Sequence, residues 1–167
     1  MGPNIWKILL DSDLFQPETL SVLLKIEERR TQAMRLAFDS YMALTPSWQR
    51  LLWLYGHHPE YMLSVSQASN PQLREVRASL GLSSYEMSFL LWSKTKTLSG
   101  REDYERSRNY YLPDQVFAST LRLLADQDSR QEAIRLLLQG AQARNPTGRR
   151  RRVVESLRLK LLPPMLW

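Results

Sequence analysis

The stretch 70–92, NPQLREVRASLGLSSYEMSFLLW, carries the signals of two short helices in succession. Pro71 marks the first start, because proline is favoured in the opening turn of a helix. Leu73, Val76 and Leu80 then recur at intervals of three and four residues, which places their side chains on one helical face. Gly81 is the predicted stop, since glycine readily adopts the left-handed backbone conformation that ends many helices. The pattern predicts a helix between Pro71 and Gly81.

A second helix start follows at Ser83. Ser83 and Glu86 have the spacing of a capping box, in which each side chain accepts a hydrogen bond from the backbone N–H of the other residue. Met87, Leu90 and Leu91 come next at i, i+3 and i+4 of a helical pattern, so we expect them on the buried face. Two amphipathic helices joined by a glycine turn are therefore predicted.

Helix signals of the same kind continue on both sides of this stretch. They are cap residues or prolines ahead of an apolar helical pattern, and no strand-rich region interrupts them. Many caps at short spacing imply many elements, so we expect an all-α compact bundle of roughly seven to nine short helices. Gly56 is the expected C-cap of a helix that starts at Pro46. Further predicted starts are Pro17, Pro59, Pro113 and Ser129, which has Glu132 at capping-box spacing. The helix that begins at Ser129 is expected to bury its apolar residues at helical spacing, which are Ala133, Ile134, Leu137, Leu138 and Ala141.

The net charge of +6 is concentrated at the C-terminal end of the chain. Seven of the 23 basic residues and one of the 17 acidic residues lie from Arg144 onward, so the remainder is electrically balanced. A dedicated nucleic-acid-binding domain more often spreads lysine and arginine over a whole face. We therefore divide the chain into a helical domain, residues 1–143, and a basic, apolar C-terminal segment, residues 144–167, with NPTG at 145–148 as a turn or hinge.

Composition also limits the compartment and the kind of scaffold. The chain has no cysteine, which excludes a disulfide framework and thiolate metal sites and fits a reducing compartment. No run reaches the roughly 18 apolar residues that span a bilayer. The N-terminus lacks the basic leader and the longer apolar core of a signal peptide. We expect a cytoplasmic protein without a transmembrane segment.

No arrangement of residues suggests a catalytic or metal site. His57 and His58 are adjacent, and neighbours on a helix point in different directions, whereas a metal-binding pair is spaced at i, i+4. Residues 99–111 are expected to form a polar connection or a short helix, and the mixed charges of 101–108 are expected to be a solvated face carrying i, i+4 ion pairs. Glycine-rich phosphate loops, Gly-x-Ser-x-Gly and zincin motifs are missing. We expect no catalytic, cofactor-binding or metal-binding residues, no cofactor, and no enzymatic activity.

The C-terminal stretch from Arg149, RRRRVVESLRLKLLPPMLW, is the most distinctive feature. The spacing of Val153, Leu157 and Leu161 fits a helix. The alternation of leucines at 157, 159 and 161 with basic residues instead fits a strand. Both structures are open on the sequence alone.

Four roles are candidates for this stretch. A protein-docking segment would bury its apolar residues while the arginines meet a carboxylate surface. Alternatively, the stretch folds back onto its own domain and leaves the arginines in solvent. A nucleic-acid element would set the arginines against phosphates, although aromatic residues for base stacking are missing. A membrane-surface element is opposed by a short apolar stripe and by Glu155. We rank docking and fold-back ahead of nucleic acid, with membrane last.

Tryptophans near the two ends of the chain are further candidates for an interface. Trp48, Trp53 and Trp92 fall within apolar helices and are predicted to pack in the core, because aromatic rings bury large areas. Trp6 and Trp167 lie near the termini, where a tryptophan is less able to join the core, and this favours an interface role. The predicted partner-binding residues are Trp6, Arg149, Arg150, Arg151, Arg152, Val153, Leu157, Leu161 and Trp167.

Three stretches together resemble a known family. They are IWKILLDSDLF at 5–15, SWQRLLWLYGHH at 47–58 and LREVRASLGLSSYEMSFLLW at 73–92, where the glycine-interrupted pattern ending in FLLW is the most telling. In this order they resemble the SctK family of type III secretion accessory proteins (the OrgA, MxiK and YscK group). The resemblance lies mostly between Ile5 and Trp92 and rests on apolar patterns.

The resemblance implies a largely helical, non-enzymatic adaptor. Members of that family belong to the cytoplasmic sorting platform of the secretion machine, peripheral to an inner-membrane complex. They bridge the pod-forming SctQ protein to the cytoplasmic domain of the membrane-ring protein SctD. The alternative that the residues leave open is a helical nucleic-acid-binding regulator that uses Arg149–Arg152.

Overall fold

The computed structural model describes residues 46–61, 70–107 and 115–164, and within these ranges the chain forms seven helices and no strand. The predicted all-α class is confirmed. None of the helices in these ranges combines the length and the apolar character of a membrane span. The helices are α1 Pro46–His57, α2 Leu73–Leu80, α3 Ser84–Leu90, α4 Thr95–Ser107, α5 Gln115–Ala125, α6 Arg130–Arg144 and α7 Gly148–Leu161.

The chain divides into two compact units. The first comprises residues 1–69 and 113–120, and the second comprises residues 70–112 and 121–167. Residues 144–167, which the charge pattern predicts as a separate segment, fall within the second unit.

α1 begins at Pro46, as the sequence predicts. The expected stop at Gly56 is wrong, because helical hydrogen bonding continues past it: the His58 N–H donates to the Leu54 carbonyl oxygen at 2.9 Å. Gly56 therefore lies inside the helix. The helix starts predicted at Pro17 and Pro113 lie outside the described residues, and so does most of the helix predicted after Pro59.

The described core of the first unit comes from α1 and the beginning of α5. Leu51, Leu52 and Leu54 of α1 are completely buried. Arg50 is also buried, and its guanidinium carbon lies 5.3 Å from the centre of the Phe117 ring. A cation over an aromatic face is electrostatically favourable, which helps this charge to remain within an apolar surrounding.

In the second unit, the stretch 70–92 folds as its caps predict. Gly81 ends α2 in the left-handed conformation, with φ of 68°. The Ser83 hydroxyl accepts from the Glu86 N–H at 3.1 Å, and the Glu86 carboxylate accepts from the Ser83 N–H at 3.0 Å. This capping box is confirmed. The expected core residues Leu73, Val76, Met87, Leu90 and Leu91 are all buried, whereas Leu80, which is predicted on the same face as Leu73 and Val76, is half-buried.

α4 is one helix of 13 residues where the sequence predicts a polar connection or a short helix. The prediction of a solvated face over 101–108 is wrong for Glu102 and Glu105, which are only 7% and 6% exposed. The reason is tertiary: α2 packs against α4 and covers these two carboxylates.

The capping box predicted at the start of α6 is wrong. Ser129 has helical rather than extended backbone angles, and extended angles are the usual geometry of a capping serine. Its hydroxyl donates instead to the Leu123 carbonyl oxygen at 2.8 Å and to Asp126 Oδ2 at 3.0 Å. Glu132 forms an ion pair with Arg135. A tight turn between α5 and α6 thus takes the hydroxyl away from the helix end.

α3, α6 and α7 pack against one another and form the core of the second unit. The predicted turn at 145–148 is confirmed and ends at Gly148, with φ of 75°. The stretch after it is a helix and not a strand, with Val154 and Leu157 completely or almost completely buried. The expected core residues of α6, Ala133, Ile134, Leu137, Leu138 and Ala141, are buried.

Candidate protein-interaction surface

α7 is held to the rest of the second unit near both of its ends. Near the start of α7, Arg151 Nη1 donates to the Gln142 carbonyl oxygen of α6 at 3.2 Å. Near its end, Lys160 Nζ donates to the Gly81 carbonyl oxygen at 2.7 Å and lies 3.5 Å from the Glu86 carboxylate. These contacts fix the rotation of the helix about its axis, so its outward face is defined.

Arg149, Arg152 and Leu159 form what we call the arginine–leucine stripe on that outward face. With 3.6 residues per turn, Arg152 and Leu159 point away from the buried Val154 and Leu157, and Arg149 lies at the side of that face, about 60° around the helix from Arg152. Both arginines are exposed, and Leu159 is 64% exposed. An exposed leucine beside exposed arginines offers an apolar contact point within a charged rim, which is the general arrangement of protein interfaces.

The arginines of α7 differ in their partners. Arg151 Nε lies 3.0 Å from Glu155 and forms an i, i+4 ion pair. Within the part of the chain that the structure describes, no hydrogen bond or ion pair engages the side chains of Arg149, Arg150 or Arg152. The first turn of α7 also carries no acidic residue. Positive charges at the N-terminal end of a helix oppose its macrodipole, so this arrangement does not favour the helix itself.

Trp92 fixes α3 on α6, the helix on which α7 packs. Its backbone is left-handed, with φ of 54°, which is rare for a bulky residue. The indole N–H donates to the Leu137 carbonyl oxygen at 2.9 Å. The ring lies so close to Gly140 that a Cβ there would overlap it, and the Arg144 guanidinium carbon lies 3.8 Å from the ring centre. Surroundings of this kind hold a strained backbone in place.

Two buried carboxylates of α4 hold α2. Arg77 Nε donates to Glu102 Oε1 at 2.6 Å, and its Nη1 donates to the Leu82 carbonyl oxygen at 3.0 Å. The Leu73 N–H donates to both oxygens of Glu105, at 3.1 and 3.2 Å. Burial raises the pKa of Glu105, whereas the hydrogen bond to Glu102 raises the pKa of Arg77. Both carboxylates are thus bound to structural partners, and Glu105 caps the N-terminus of α2 from a different helix.

The two histidines have separate partners. His57 Nδ1 lies 2.8 Å from the Trp53 carbonyl oxygen within α1. His58 Nδ1 lies 3.0 Å from a carboxylate oxygen of Glu60. In the three described ranges, no group of three or more His, Cys, Asp or Glu residues is placed to hold a metal ion.

The structure divides the predicted partner-binding residues. Leu157 is 1% exposed and packs in the core, so its side chain is not an accessible anchor. Leu159 is not among the predicted residues, yet its side chain is exposed. The sequence could not indicate this exposure, because it depends on which face of α7 is buried. Trp6 and Trp167 lie outside the described residues. The others are exposed (Arg149, Arg150, Arg152) or half-buried (Arg151, Val153, Leu161).

The described residues thus define an all-α protein whose second unit carries an arginine-rich helix on its surface. Comparison of the chain with protein-family models, with curated proteins and with solved structures found no match.

Proposed function

We propose that this chain is a non-enzymatic adaptor of the cytoplasmic sorting platform of a type III secretion system. It bridges a SctQ-like pod protein to the cytoplasmic domain of a SctD-like ring protein, and it works in the cytoplasm, peripheral to an inner-membrane complex. The proposal starts from the three stretches at 5–15, 47–58 and 73–92 that resemble the SctK family.

The second and third of these stretches supply core residues, which supports a likeness of fold. The stretch 47–58 lies almost entirely in α1, which contributes buried leucines to the first unit. The stretch 73–92 forms α2, the glycine turn, α3 and the Trp92 contact with α6. Apolar patterns of this kind specify how helices pack, so a shared pattern is an argument for shared architecture.

The observation that carries the adaptor proposal is the exposed face of α7. A helix that is fixed by a buried face and presents arginines with an apolar residue outward suits recognition by surface complementarity. Arginine is among the residues enriched where protein surfaces meet.

Several polar side chains in the part of the chain that the structure describes are bound to structural partners. Glu102 and Glu105 bind Arg77 and the start of α2, and His58 lies against Glu60. A general acid or base needs a free, positioned group with a tuned pKa. These contacts support a non-enzymatic role.

Co-purification tests the proposal. The full-length chain is immobilised and offered the purified pod protein and the purified cytoplasmic ring domain of the same secretion system, separately and together. We expect both to be retained at an ionic strength of about 0.15 M, and retention to survive moderately higher salt, because the apolar part of the contact is not screened by salt. A resin carrying an unrelated protein of similar isoelectric point is the control. If neither protein is retained above that control, the proposal fails.

A nucleic-acid-binding regulator is the second candidate, and the exposed side chains of Arg149, Arg150 and Arg152 favour it. In that case a mobility shift with duplex or single-stranded DNA or RNA is expected at low salt. Affinity should fall steeply with salt, with a slope of roughly 0.9 per neutralised phosphate, and should disappear when the arginines are replaced by alanine. Absence of any shift at low salt excludes this candidate.

A further inference from the structure

The arginine–leucine stripe of α7 has a definite geometry. With a rise of about 1.5 Å per residue, Arg152 and Leu159 are about 10 Å apart along the helix axis, and Arg149 and Leu159 about 15 Å. The three residues therefore span about three helical turns along α7. Because Lys160 and Arg151 tie both ends of α7 to neighbouring elements, the stripe is rigid before any partner arrives.

Charge and apolarity along the stripe select the chemistry of the partner. No hydrogen bond or ion pair within the described residues engages the side chains of these two arginines, so they are placed to complement carboxylates on another surface. Leu159 needs an apolar contact at the other end. A phosphate backbone offers no such apolar contact, and Glu155 on the same side of the helix is already paired with Arg151. An acidic protein surface with an apolar contact point fits this pattern better than a nucleic acid does.

We infer that the arginine–leucine stripe of α7 is the docking surface for an acidic amphipathic helix of a protein partner. That helix lies alongside α7, places carboxylates one turn apart against Arg149 and Arg152, and packs an apolar residue about two turns further along against Leu159. The inference rests on the proposed function, since it assigns the adaptor's contact with either the pod protein or the ring domain to this stripe. It replaces the apolar anchors predicted from the sequence, of which Leu157 is buried.

A substitution in the stripe can distinguish a role in binding from a role in the stability of the chain. Arg149 lies in the first turn of α7, where a carboxylate would interact better with the helix macrodipole than an arginine does. Replacing it with glutamate should leave the thermal unfolding midpoint unchanged or raise it. A residue that serves only the stability of its own chain would behave in the opposite way.

Binding of the purified pod protein and of the purified ring domain to the full-length chain is measured by calorimetry at low and high salt. We expect Arg149→Glu with Arg152→Glu to weaken one of these two interactions by at least about tenfold at low salt and by less at high salt. Leu159→Ser should weaken the same interaction at both salt concentrations. The matched controls, Arg74→Glu with Lys96→Glu and Tyr104→Ser, change exposed residues of α2 and α4 and should bind like the wild type.

The outcomes distinguish the stripe from the adaptor function. If the wild type binds both proteins and the stripe variants bind equally well, the docking inference is wrong while the adaptor proposal stands. If the wild type binds neither protein, the adaptor proposal and the inference fall together. The inference is also overturned if the stripe variants lower the unfolding midpoint more than the control variants do. It is overturned as well if they abolish self-association of the chain in sedimentation, or binding to a 20-base-pair DNA duplex, rather than binding to either protein.

Discussion

Gly140 allows the indole of Trp92 to lie directly on the backbone of α6. The ring is then held by a hydrogen bond to Leu137 and by the guanidinium of Arg144. A left-handed backbone at Trp92 is unfavourable for a bulky side chain, so these contacts must offset it. The packing of α3 on α6 therefore depends on a single residue, Gly140, which has no side chain.

Gly140→Ala should destabilise the second unit. The added methyl group would overlap the Trp92 ring, and overpacking of a filled site typically costs about 1–3 kcal/mol. Chemical denaturation, followed by tryptophan fluorescence and by circular dichroism, measures the loss. Gly100→Ala is the matched control: Gly100 lies within α4 and a Cβ there meets nothing within 4 Å. That change should stabilise by about 0.4–1 kcal/mol, because alanine loses less backbone entropy on folding. Equal free energies of unfolding for the two variants would contradict the role assigned to Gly140.

At the scale of elements, the helices of the second unit are oriented by their ends and by their buried faces. α2 is capped from outside by Glu105, whereas α3 is capped locally by Ser83 and Glu86. α7 is fixed by two buried residues, Val154 and Leu157, and its outward face follows from them. Mutations of the cap residues and of the buried residues in these helices should therefore change the free energy of unfolding.

Truncation of two leucines of α7 should change the free energy of unfolding by very different amounts. Leu157→Ala should lower the free energy of unfolding by about 2–5 kcal/mol, because it leaves a cavity in a packed core. Leu159→Ala should change it by less than about 0.5 kcal/mol, since that side chain is exposed. The two positions are two residues apart, so a strand would place them on the same face and a helix does not. Thermal and urea unfolding of both variants measure the difference, and equal losses would be incompatible with a helical α7.

The two capping carboxylates should give opposite pH dependences. Burial raises the pKa of Glu105 above its ordinary value of 4.5, so folding favours its protonated form and its contribution to stability declines as pH rises through the window above 4.5. The backbone hydrogen bond from Ser83 lowers the pKa of Glu86, helped by Lys160, so its contribution is lost as pH falls below 4.5.

Denaturation of the wild type, Glu105→Gln and Glu86→Gln between about pH 3 and pH 7 measures these contributions. The free-energy difference between the wild type and Glu105→Gln should fall with rising pH, and the difference between the wild type and Glu86→Gln should increase. Each variant is thus the control for the other. Slopes of the same sign would show that the cap on α2 is not a buried carboxylate.

At the scale of the whole molecule, the positive charge is gathered on one helix. α7 carries the run Arg149–Arg152, while the chain before Arg144 is electrically balanced. A concentrated patch of one sign acts on a charged surface more strongly than the same charge dispersed over the molecule.

Elution from a cation-exchange resin tests this concentration of charge. Replacing Arg149, Arg150 and Arg152 with glutamine lowers the net charge from +6 to +3. The same reduction follows from replacing Arg74, Lys94 and Lys96, which are exposed on α2, before α4 and on α4. We expect the first variant to elute at clearly lower salt than the second, because multivalent contact with the resin is lost. Elution of both variants at the same salt concentration would mean that the arginines of α7 do not dominate the electrostatic interaction of the protein with the resin.

Local sequence signals predict the all-α class, the position of the α2–α3 turn and the buried faces of α3 and α6. These features depend on local chemistry: a left-handed glycine at 81, a capping box at Ser83 and helical periodicity act within a few residues. Where the predicted local signal failed, as at Ser129, a neighbouring turn offered the hydroxyl a different acceptor.

Only the tertiary structure decided the burial of Glu102 and Glu105, the exposed position of Leu159 and the contact between Trp92 and Gly140. Each depends on which helix packs against which, at sequence separations of 25 to 48 residues for the charged and aromatic contacts. A solvated carboxylate and a buried one have the same local sequence pattern, because burial depends on whether another helix packs over the carboxylate. For the same reason, the leucines of α7 could be divided into core and surface only after the packing of α3, α6 and α7 had fixed the rotation of the helix.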